Sequence, residues 1–424
     1  MDRRWVAAMM ANNNGGGSPL VFNYVSGGTG MNATLIFNRA DATTCATYID
    51  SNGVIQTVVA NVARTQYTGG IAGLLLEPSR VNRIFDSSNY STSNWARTSI
   101  TSAQNATGPD SVSSSASTLS ATGAAASVDQ STGVNLIAGT SGALTYHVKV
   151  GTGAVFAFFG ITNDAVLHRV WVNLSTGVLS SKDQAGDTAT TLALANGWYR
   201  ITLTLTATNT INPNIRVGLS RTSGATDSQN GDTALIYGVQ CEQNVASPSS
   251  YIATTTAVTR AIDNARFALP TALTILRSTT FYISHVSGQP STFDGSFVWL
   301  IGANAGARLA LTRTNGGASY TLTHNNGSTS VSATVAATVA IGDLVELRAL
   351  LNDDGSIQLG VSINSAAETV GTASAANTLA SAWAANTWYL NTDATPANAG
   401  ETTGVRALKA ALGPRSMAVM RQLT

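Results

Sequence analysis

The residues of this chain best suited to binding a ligand lie on one predicted strand, residues 169–174. Apolar residues fill its even positions, whereas Arg169, Trp171 and Asn173 fill the odd ones, and such alternation places the two sets on opposite faces of a strand. An exposed indole ring can stack on the apolar C–H face of a sugar while polar neighbours bind its hydroxyl groups. Trp171, Arg169 and Asn173 are therefore the candidate glycan-binding residues. The alternative is that Trp171 packs against the preceding segment of the chain or a neighbouring subunit.

Catalysis on sugars has few candidate residues. Glycoside hydrolysis usually needs two carboxylates that flank the scissile bond, and the whole chain contains five glutamates. For Glu77 and Glu242 we favour a structural role over catalysis, in which each carboxylate accepts backbone N–H groups or pairs with Arg80 or Arg260. The sequence therefore predicts no catalytic residues and a protein that is not an enzyme.

Metal and cofactor motifs are also missing from the sequence. The histidines have no H-x-H or H-E-x-x-H spacing and are interpreted as surface or sheet residues: His147, His168, His285 and His324. There is no phosphate-binding loop and no G-x-S-x-G nucleophile motif. Asp353 and Asp354 lie in a predicted turn, where local hydrogen bonding explains them, with a calcium site as the alternative. We expect no metal and no cofactor.

Length and charge limit the remaining possibilities. A chain of 424 residues exceeds the roughly 250–300 residues at which a single core stops growing, so we expect at least two domains. Charged residues make up 11% of the chain and the net charge is +1, which argues against nucleic acid as a partner. No apolar run reaches the roughly 18–20 residues of a membrane span. We expect no membrane insertion and no clear signal peptide, because residues 1–17 match one only weakly.

Strand patterns predict an all-β fold. Asn52-Gly53 between two apolar-rich runs indicates a hairpin, and further hairpin turns are predicted at 315–317, 325–327 and 352–355. Residues 83–142, which are rich in Ser, Thr and Ala, are expected to form short edge strands with a polar outer face. One-sided apolar alternation along most strands is typical of antiparallel two-sheet sandwiches.

Four tryptophans and the cysteines are expected to be structural. The tryptophans expected in a core or at an interface are Trp95, Trp299, Trp383 and Trp388. Cys45 and Cys241 are interpreted as free, buried thiols, with a bridge between them as the alternative.

Two phrases carry a family resemblance: GLLLEPSRVN at 73–82 and IYGVQCEQNVASPSSYIATTTAVTRAID at 236–263. Together they resemble bacteriophage virion proteins, tail-fibre and head-fibre subunits, in which similar phrases flank a carbohydrate-binding-module-like jelly roll. The positions that match the second phrase are Gly238, Gln240, Glu242, Pro248, Ser249, Ser250, Tyr251, Ile252, Thr254, Val258, Thr259, Arg260, Ala261 and Asp263. The order of elements after residue 270 resembles, more loosely, a concanavalin A-like or laminin-G-like jelly roll.

These resemblances imply an architecture. Trp198 matches a core position of the virion family, which implies that it lies in a core here. We expect an N-terminal docking segment and linker at 1–19, a β leader at 20–83, a first jelly roll at 84–265 and a second at 270–424. Short terminal helices are predicted at 2–11 and 416–423, and a linker at 266–270. The first helix is interpreted as a docking peg or, alternatively, as a disordered end.

The resemblances also imply a role. We expect a virion protein, assembled in the host cytoplasm, that contacts other virion proteins through its N-terminus and forms a homo-oligomer, with a trimer suspected. Host-surface glycan is the expected external partner. The alternatives are a capsid-bound head fibre or decoration protein, and a secreted carbohydrate-binding or glycan-cleaving protein.

Overall fold

The computed structural model describes residues 20–22, 35–41, 45–68, 71–243, 245, 247–268, 279–287, 297–302, 306–313, 319–340, 342–379, 387–390 and 402–412. Over these residues the chain forms β-strands and one 3-10 helix, Ala195–Gly197. The described residues contain no helix with the length and apolar character needed to cross a membrane. The predicted all-β fold is confirmed. Trp383 and the two predicted terminal helices lie outside the described residues.

The strands are numbered in chain order. The first sixteen are β1 (Leu20–Phe22), β2 (Leu35–Asn38), β3 (Ala46–Ile49), β4 (Ile55–Val58), β5 (Arg64–Thr68), β6 (Ile71–Leu76), β7 (Arg80–Asn82), β8 (Ala96–Thr98), β9 (Ile100–Ala106), β10 (Ala116–Ala121), β11 (Ser127–Ser131), β12 (Ser141–Val150), β13 (Phe156–Ile161), β14 (His168–Asn173), β15 (Leu179–Lys182) and β16 (Thr188–Ala193). The others are β17 (Trp198–Thr206), β18 (Asn214–Ser220), β19 (Thr233–Gln243), β20 (Val258–Arg260), β21 (Asn264–Ala268), β22 (Thr279–Ser287), β23 (Phe297–Gly302), β24 (Ala307–Arg313), β25 (Ser319–Asn326), β26 (Ser330–Ala336), β27 (Leu344–Leu351), β28 (Ile357–Ile363), β29 (Thr369–Val370), β30 (Thr387–Leu390) and β31 (Thr402–Leu412).

The chain folds into two compact units. One, here named the central sandwich, comprises Ala40–Val62 and Ser79–Ala261. The other, the C-terminal sandwich, comprises Met1–Arg39, Ala63–Pro78 and Ile262–Thr424. The strands of residues 20–83, which the sequence groups as one leader, are therefore divided between the two units.

The central sandwich consists of two facing antiparallel sheets. Sheet I has the order β16-β17-β12-β19-β10-β9, and sheet II has the order β15-β14-β13-β18-β11-β8. Apolar residues from both sheets meet in one core, which includes Leu144, Phe159, Val172, Leu203 and Val217. This is the inward-facing half of each alternating pattern, as expected when one face of each sheet is buried. The chain passes repeatedly between the two sheets, as in a jelly roll.

The C-terminal sandwich is also built from two antiparallel sheets. Sheet III has the order β29-β28-β27-β22-β31-β6-β5, with β1 also paired to β31, and sheet IV has the order β2-β21-β30-β23-β24-β25-β26. Its core draws on both sheets and contains Phe281, Trp299, Leu322, Leu347 and Trp388.

The predicted hairpins are confirmed where the structure describes them. Strands β3 and β4 pair across the Asn52-Gly53 turn, where Gly53 has a φ of 78°. Strands β27 and β28 pair across residues 352–355, where Gly355 has a φ of 74°. Such left-handed backbone conformations favour glycine. The 325–327 turn joins β25 to β26, and β24 pairs with β25 on either side of the predicted 315–317 turn, which is itself outside the described residues.

Two other predictions concern segments between these hairpins. The interpretation of residues 83–142 is confirmed for strands β8 and β9, which are edge strands with mostly exposed side chains. It is wrong for β10 and β11, which are inner strands with mostly buried side chains because each pairs with strands on both sides. The linker predicted at 266–270 is wrong over its first half, because Arg266–Ala268 belongs to β21 and pairs with β2 and β30. Its alternating Ala265 and Phe267 are core residues of the C-terminal sandwich.

Candidate functional site: the outer face of sheet II

The candidate strand is β14, which lies between β13 and β15 in sheet II. Its inward residues, Val170 and Val172, are buried in the core of the central sandwich. Arg169 and Trp171 therefore occupy the opposite, outer face, as the alternation predicts. The predicted division of faces is confirmed.

Trp171 is not available to a sugar in this structure. Its side chain is 1% exposed, its ring centroid lies 5.7 Å from that of Phe158, and its Nε1 donates a hydrogen bond to the Ala225 carbonyl at 2.8 Å. The expectation of an exposed stacking platform is therefore wrong, because another part of the same sandwich covers this face. The alternative named the preceding segment of the chain or a neighbouring subunit, whereas the contacts observed for Trp171 are with Phe158 and the loop that contains Ala225, in the same sandwich.

Arg169 joins the same cluster. Its Cζ lies 4.8 Å from the centroid of the Trp171 ring, a cation–π geometry. Its Nε donates to Asp183 Oδ2 at 2.7 Å and its Nη2 donates to Asp183 Oδ1 at 3.3 Å. Asp183 thus holds the guanidinium in one orientation.

Asn173 has a local role. Its Oδ1 accepts hydrogen bonds from the backbone N–H groups of Ser175 and Thr176, at 3.0 and 3.1 Å. This is the use of Asn that stabilises tight turns, here the turn between β14 and β15. The structure brings Arg169 and Trp171 together, whereas the Asn173 side chain is engaged in the turn.

A second arginine shares the outer face. Arg216 on β18 and Arg169 on β14 are both register partners of Gly160, on the strand between them. Arg216 Nε donates to Asp129 Oδ1. The sequence showed Arg216 as the polar partner of apolar Ile215 and Val217, but sequence alone does not show that β13 separates β14 from β18.

Glu77, one of the two carboxylates considered for catalysis, belongs to a buried charge cluster of the C-terminal sandwich. Arg64 Nη1 lies 2.8 Å from Glu77 Oε2, and Arg64 Nη2 pairs with Asp263. Arg39 Nη1 lies 3.4 Å from Asp263 Oδ1. All four side chains are 0–2% exposed. The structural interpretation of Glu77 is thus supported, although the partner shown is Arg64, which sequence reasoning missed.

Glu242, the other carboxylate, is buried in the central sandwich. Its Oε2 accepts the backbone N–H of Ser249 at 2.7 Å and its Oε1 accepts the Ser249 hydroxyl at 2.5 Å. Burial raises the pKa of this carboxyl, and the Ser249 hydrogen bonds oppose that shift. A raised pKa is also found in catalytic acids, but both oxygens of this group, which is 1% exposed, are bonded to the chain itself. The structural interpretation of Glu242 is confirmed.

Other residues of the second phrase belong to the same buried network. Gln240 Oε1 accepts the N–H of Ile252 at 2.6 Å, and Arg260 Nη1 donates to the Ser250 hydroxyl at 3.1 Å. Gly238 has a φ of 60°, and a Cβ there would lie 3.0 Å from both His147 Nδ1 and the Tyr251 ring. These residues hold the segment after β19 against sheet I.

The interpretation of the four histidines as surface or sheet residues is confirmed in its second form, because all four lie in strands and are buried. His147, His168, His285 and His324 are at most 5% exposed. His147 Nδ1–H donates to the Tyr237 carbonyl at 3.2 Å, and burial lowers the pKa of His147 to about 3. The segment after β19 covers the outer face of β12 at His147. Both faces of this strand are therefore buried at that position.

His168 differs from the others because it lies between two carboxylates. Its Nδ1 is 3.0 Å from Asp187 and its Nε2 is 3.4 Å from Asp164. The hydrogen bond to Asp187 raises the pKa of His168, against the effect of burial.

The described residues contain no group of three or more His, Cys, Asp or Glu side chains arranged to hold a metal ion. Asp354 Oδ1 accepts hydrogen bonds from the N–H and the hydroxyl of Ser356, at 2.9 and 2.6 Å. The local hydrogen-bonding role predicted for the turn is confirmed for Asp354.

The assignments of cysteine and tryptophan hold. Cys45 and Cys241 are buried thiols that are not joined in a disulfide. Burial raises the pKa of Cys241 to about 12, which keeps its thiol protonated and unreactive. The tryptophans predicted in cores are 0–1% exposed: Trp95, Trp198, Trp299 and Trp388.

Comparisons with known proteins add little. No family model matches the sequence, and no curated protein matches it. Among solved structures, the chain is similar to the mouse laminin alpha1 chain, domains LG4-5, with a TM-score of 0.25 and 10% identity over 66% of this chain and 85% of that chain. A TM-score this low carries no argument about function, and the assignment of the fold as two antiparallel β-sandwiches rests on the sheets described above.

Proposed function

We propose that this chain is a non-enzymatic structural protein of a bacteriophage virion, a tail-fibre or appendage subunit that adheres to host-surface glycan. The resemblance of its two phrases to virion fibre subunits motivates the setting. The observation that carries the non-enzymatic part is the state of Glu77 and Glu242. Each is buried and bonded to groups of its own sandwich, so neither can reach a glycosidic bond without disrupting the fold.

The rest of the proposal follows from the family resemblance. The N-terminal segment docks to other virion proteins, and the chain works as a homo-oligomer, with a trimer as the expected state. The sandwiches supply large rigid surfaces on which loops and outer faces recognise a ligand. The protein acts in the virion after assembly in the host cytoplasm.

Immunogold electron microscopy of purified virions tests the setting. Labelling at the tail or its fibres supports the proposal, and labelling over the capsid favours a head fibre or decoration protein. Virions that carry no label, from cells that secrete the protein, would overturn the virion assignment.

A glycan array tests the adhesive part. The proposal expects saturable binding of the purified chain to glycans of the host envelope and none to unrelated glycans. The Trp171→Ala variant is measured in the same assay. Because the Trp171 indole is buried, we expect this substitution to lower the thermal stability of the protein and not to remove glycan binding selectively.

A further inference from the structure

The outer face of sheet II carries a row of charged residues on three strands, β14, β18 and β11, and on the segment after β15, with a glycine of β13 at its centre. Gly160 on β13 pairs with Arg169 on β14 and with Arg216 on β18, and Asp129 on β11 pairs with Arg216. Asp183 follows β15 and donates its backbone N–H to the Arg169 carbonyl. The row therefore reads Asp183, Arg169, Gly160, Arg216, Asp129.

Because the residue at the centre of this row is glycine, no side chain of β13 lies between the two arginines, and this space is here named the gap. The Cα atoms of Arg169 and Arg216 are about 10 Å apart, twice the spacing of neighbouring strands. A Cβ at Gly160 would lie 1.7 Å from the His168 carbonyl oxygen, so only glycine fits. Backbone atoms of β14 therefore occupy the place that a side chain at position 160 would take, and the floor of the gap is backbone.

The two aspartates orient the arginines without using all of their donors. Asp183 accepts from Nε and Nη2 of Arg169, whereas Asp129 accepts only from Nε of Arg216. Within the described part of the chain, Nη1 of Arg169 and both Nη atoms of Arg216 have no protein partner. The Arg216 side chain is 36% exposed and that of Arg169 is 15% exposed, so a ligand in solvent can reach these groups.

The guanidinium nitrogens without a protein partner are N–H donors. A ligand that binds them must therefore carry hydrogen-bond acceptors. A carboxylate pairs with the two Nη atoms of a guanidinium through parallel hydrogen bonds. Because the Arg216 guanidinium is bonded to Asp129 along its Nε side, its Nη edge is free and its orientation is already fixed. A fixed orientation reduces the entropy that binding would otherwise cost.

We propose that this gap binds the carboxylate of an acidic sugar in a glycan, with the Nη edge of Arg216 as the main donor and Arg169 as the second. Asp129 and Asp183 are positioning residues that hold the two guanidinium groups. The inference rests on the proposed glycan adhesion and names its substrate class and its site. In this proposal the sugar is contacted by the arginines of the row and not by the Trp171 ring on the same face.

The test uses the full-length protein and polygalacturonic acid as the probe, with its carboxyl-reduced form and a sulfated neutral polysaccharide as comparison ligands. Arg216→Gln is expected to weaken binding to polygalacturonic acid by about tenfold or more, the range for losing a charge-assisted bidentate contact. Arg216→Lys keeps the charge, loses the parallel geometry and is expected to bind almost as weakly. The carboxyl-reduced polymer is expected to bind no better to the wild type than to Arg216→Gln.

Arg221→Gln is the matched control. The Arg221 side chain is 39% exposed and pairs with Asp232 at 2.7 Å, so it loses a comparable ion pair outside the row. Its affinity is expected to stay at the wild-type value, and thermal melts check that all variants fold.

The outcomes separate this inference from the proposed function. Equal binding of polygalacturonic acid by wild type and Arg216→Gln overturns the site, and stronger binding of the sulfated polymer overturns the choice of a carboxylate. Binding of neutral host glycans alone leaves the adhesive function intact but removes the acidic sugar. Failure of the wild type to bind any glycan on the array removes both.

Discussion

Arg64 is the centre of the buried charge cluster in the C-terminal sandwich. Its guanidinium meets both Glu77 and Asp263, and the backbone N–H groups of Glu77 and Asp263 donate to Asp263 Oδ2 and the Glu77 carbonyl, each at 2.9 Å. The charges of the cluster lie buried against one another. The cluster therefore fixes three segments that are distant in sequence.

Removal of one partner should be costly. Arg64→Met removes the counter-charge that the buried Glu77 and Asp263 carboxylates share, while Arg39 still contacts Asp263. Loss of one member of such a set destabilises a protein by about 3–5 kcal/mol. Denaturant titration that follows the C-terminal sandwich measures this. Arg216→Gln, which breaks a partly exposed pair, should cost only about 0–1 kcal/mol, and similar costs for the two variants would show that the cluster is not a structural centre.

His147 predicts loss of stability in acid. Burial lowers its folded-state pKa to about 3, below the unfolded value of about 6.5, so the unfolded state binds a proton that the folded state excludes. Stability of the central sandwich should therefore fall as the pH drops from about 6.5 towards 3. His147→Gln should make the melting temperature less sensitive to pH between 7 and 5, and an unchanged slope would contradict the assignment.

His168 is expected to have the opposite effect on the pH dependence of stability. The Asp187 hydrogen bond raises its folded-state pKa, so its stabilising effect is complete below the unfolded pKa and is lost as the pH rises through the raised value. His168→Gln should therefore lower the melting temperature more at pH 5.5 than at pH 8.5. An equal loss at both values would mean that His168 contributes packing alone.

At the scale of elements, the hairpin β3–β4 helps to cover the outer face of sheet I. Ile55, 3% exposed, packs in a cluster with Trp198, Tyr237 and Tyr251. Because the hairpin covers this face, strands of sheet I whose alternation predicts one solvent-exposed face are buried on both faces. His147 on the same face is covered by Tyr251 of the segment after β19, whose ring centroid lies 5.7 Å from that of His147.

Ile55→Ala tests this packing. Loss of a buried isoleucine side chain should cost the central sandwich about 2–5 kcal/mol in unfolding free energy. Val59→Ala on the segment after β4, where Val59 is 57% exposed, should change it little. If calorimetry gave the two variants the same melting temperature, the hairpin would not be part of the packed structure.

These elements also show what sequence can predict. Alternation identified which residues share a face, as for Val170 and Val172 against Trp171, and Asn52-Gly53 identified its turn. Alternation carries no information about what covers a face, so Trp171 and His147 were expected closer to solvent than they are. Arg64 and Asp263 are 199 positions apart, and their pairing depends on the packing of distant segments, which local patterns do not encode. The same limit concealed the Arg169–Gly160–Arg216 row.

Many ionisable groups of the two antiparallel sandwiches serve the fold. Glu77, Glu242 and His147 are buried and bonded within their own sandwiches, whereas the outer face of sheet II carries a row of partly exposed charges. Such a distribution suits a protein that recognises a ligand without transforming it. A homo-oligomer would multiply the number of these faces and strengthen attachment through multivalency.

The most direct test of this claim measures binding and cleavage together. The purified chain is incubated with acidic host-surface polysaccharide, and the bound fraction and the polymer length are followed over time. The account predicts saturable binding with unchanged polymer length. Progressive shortening of the polymer that is abolished by Glu77→Gln or Glu242→Gln would contradict it.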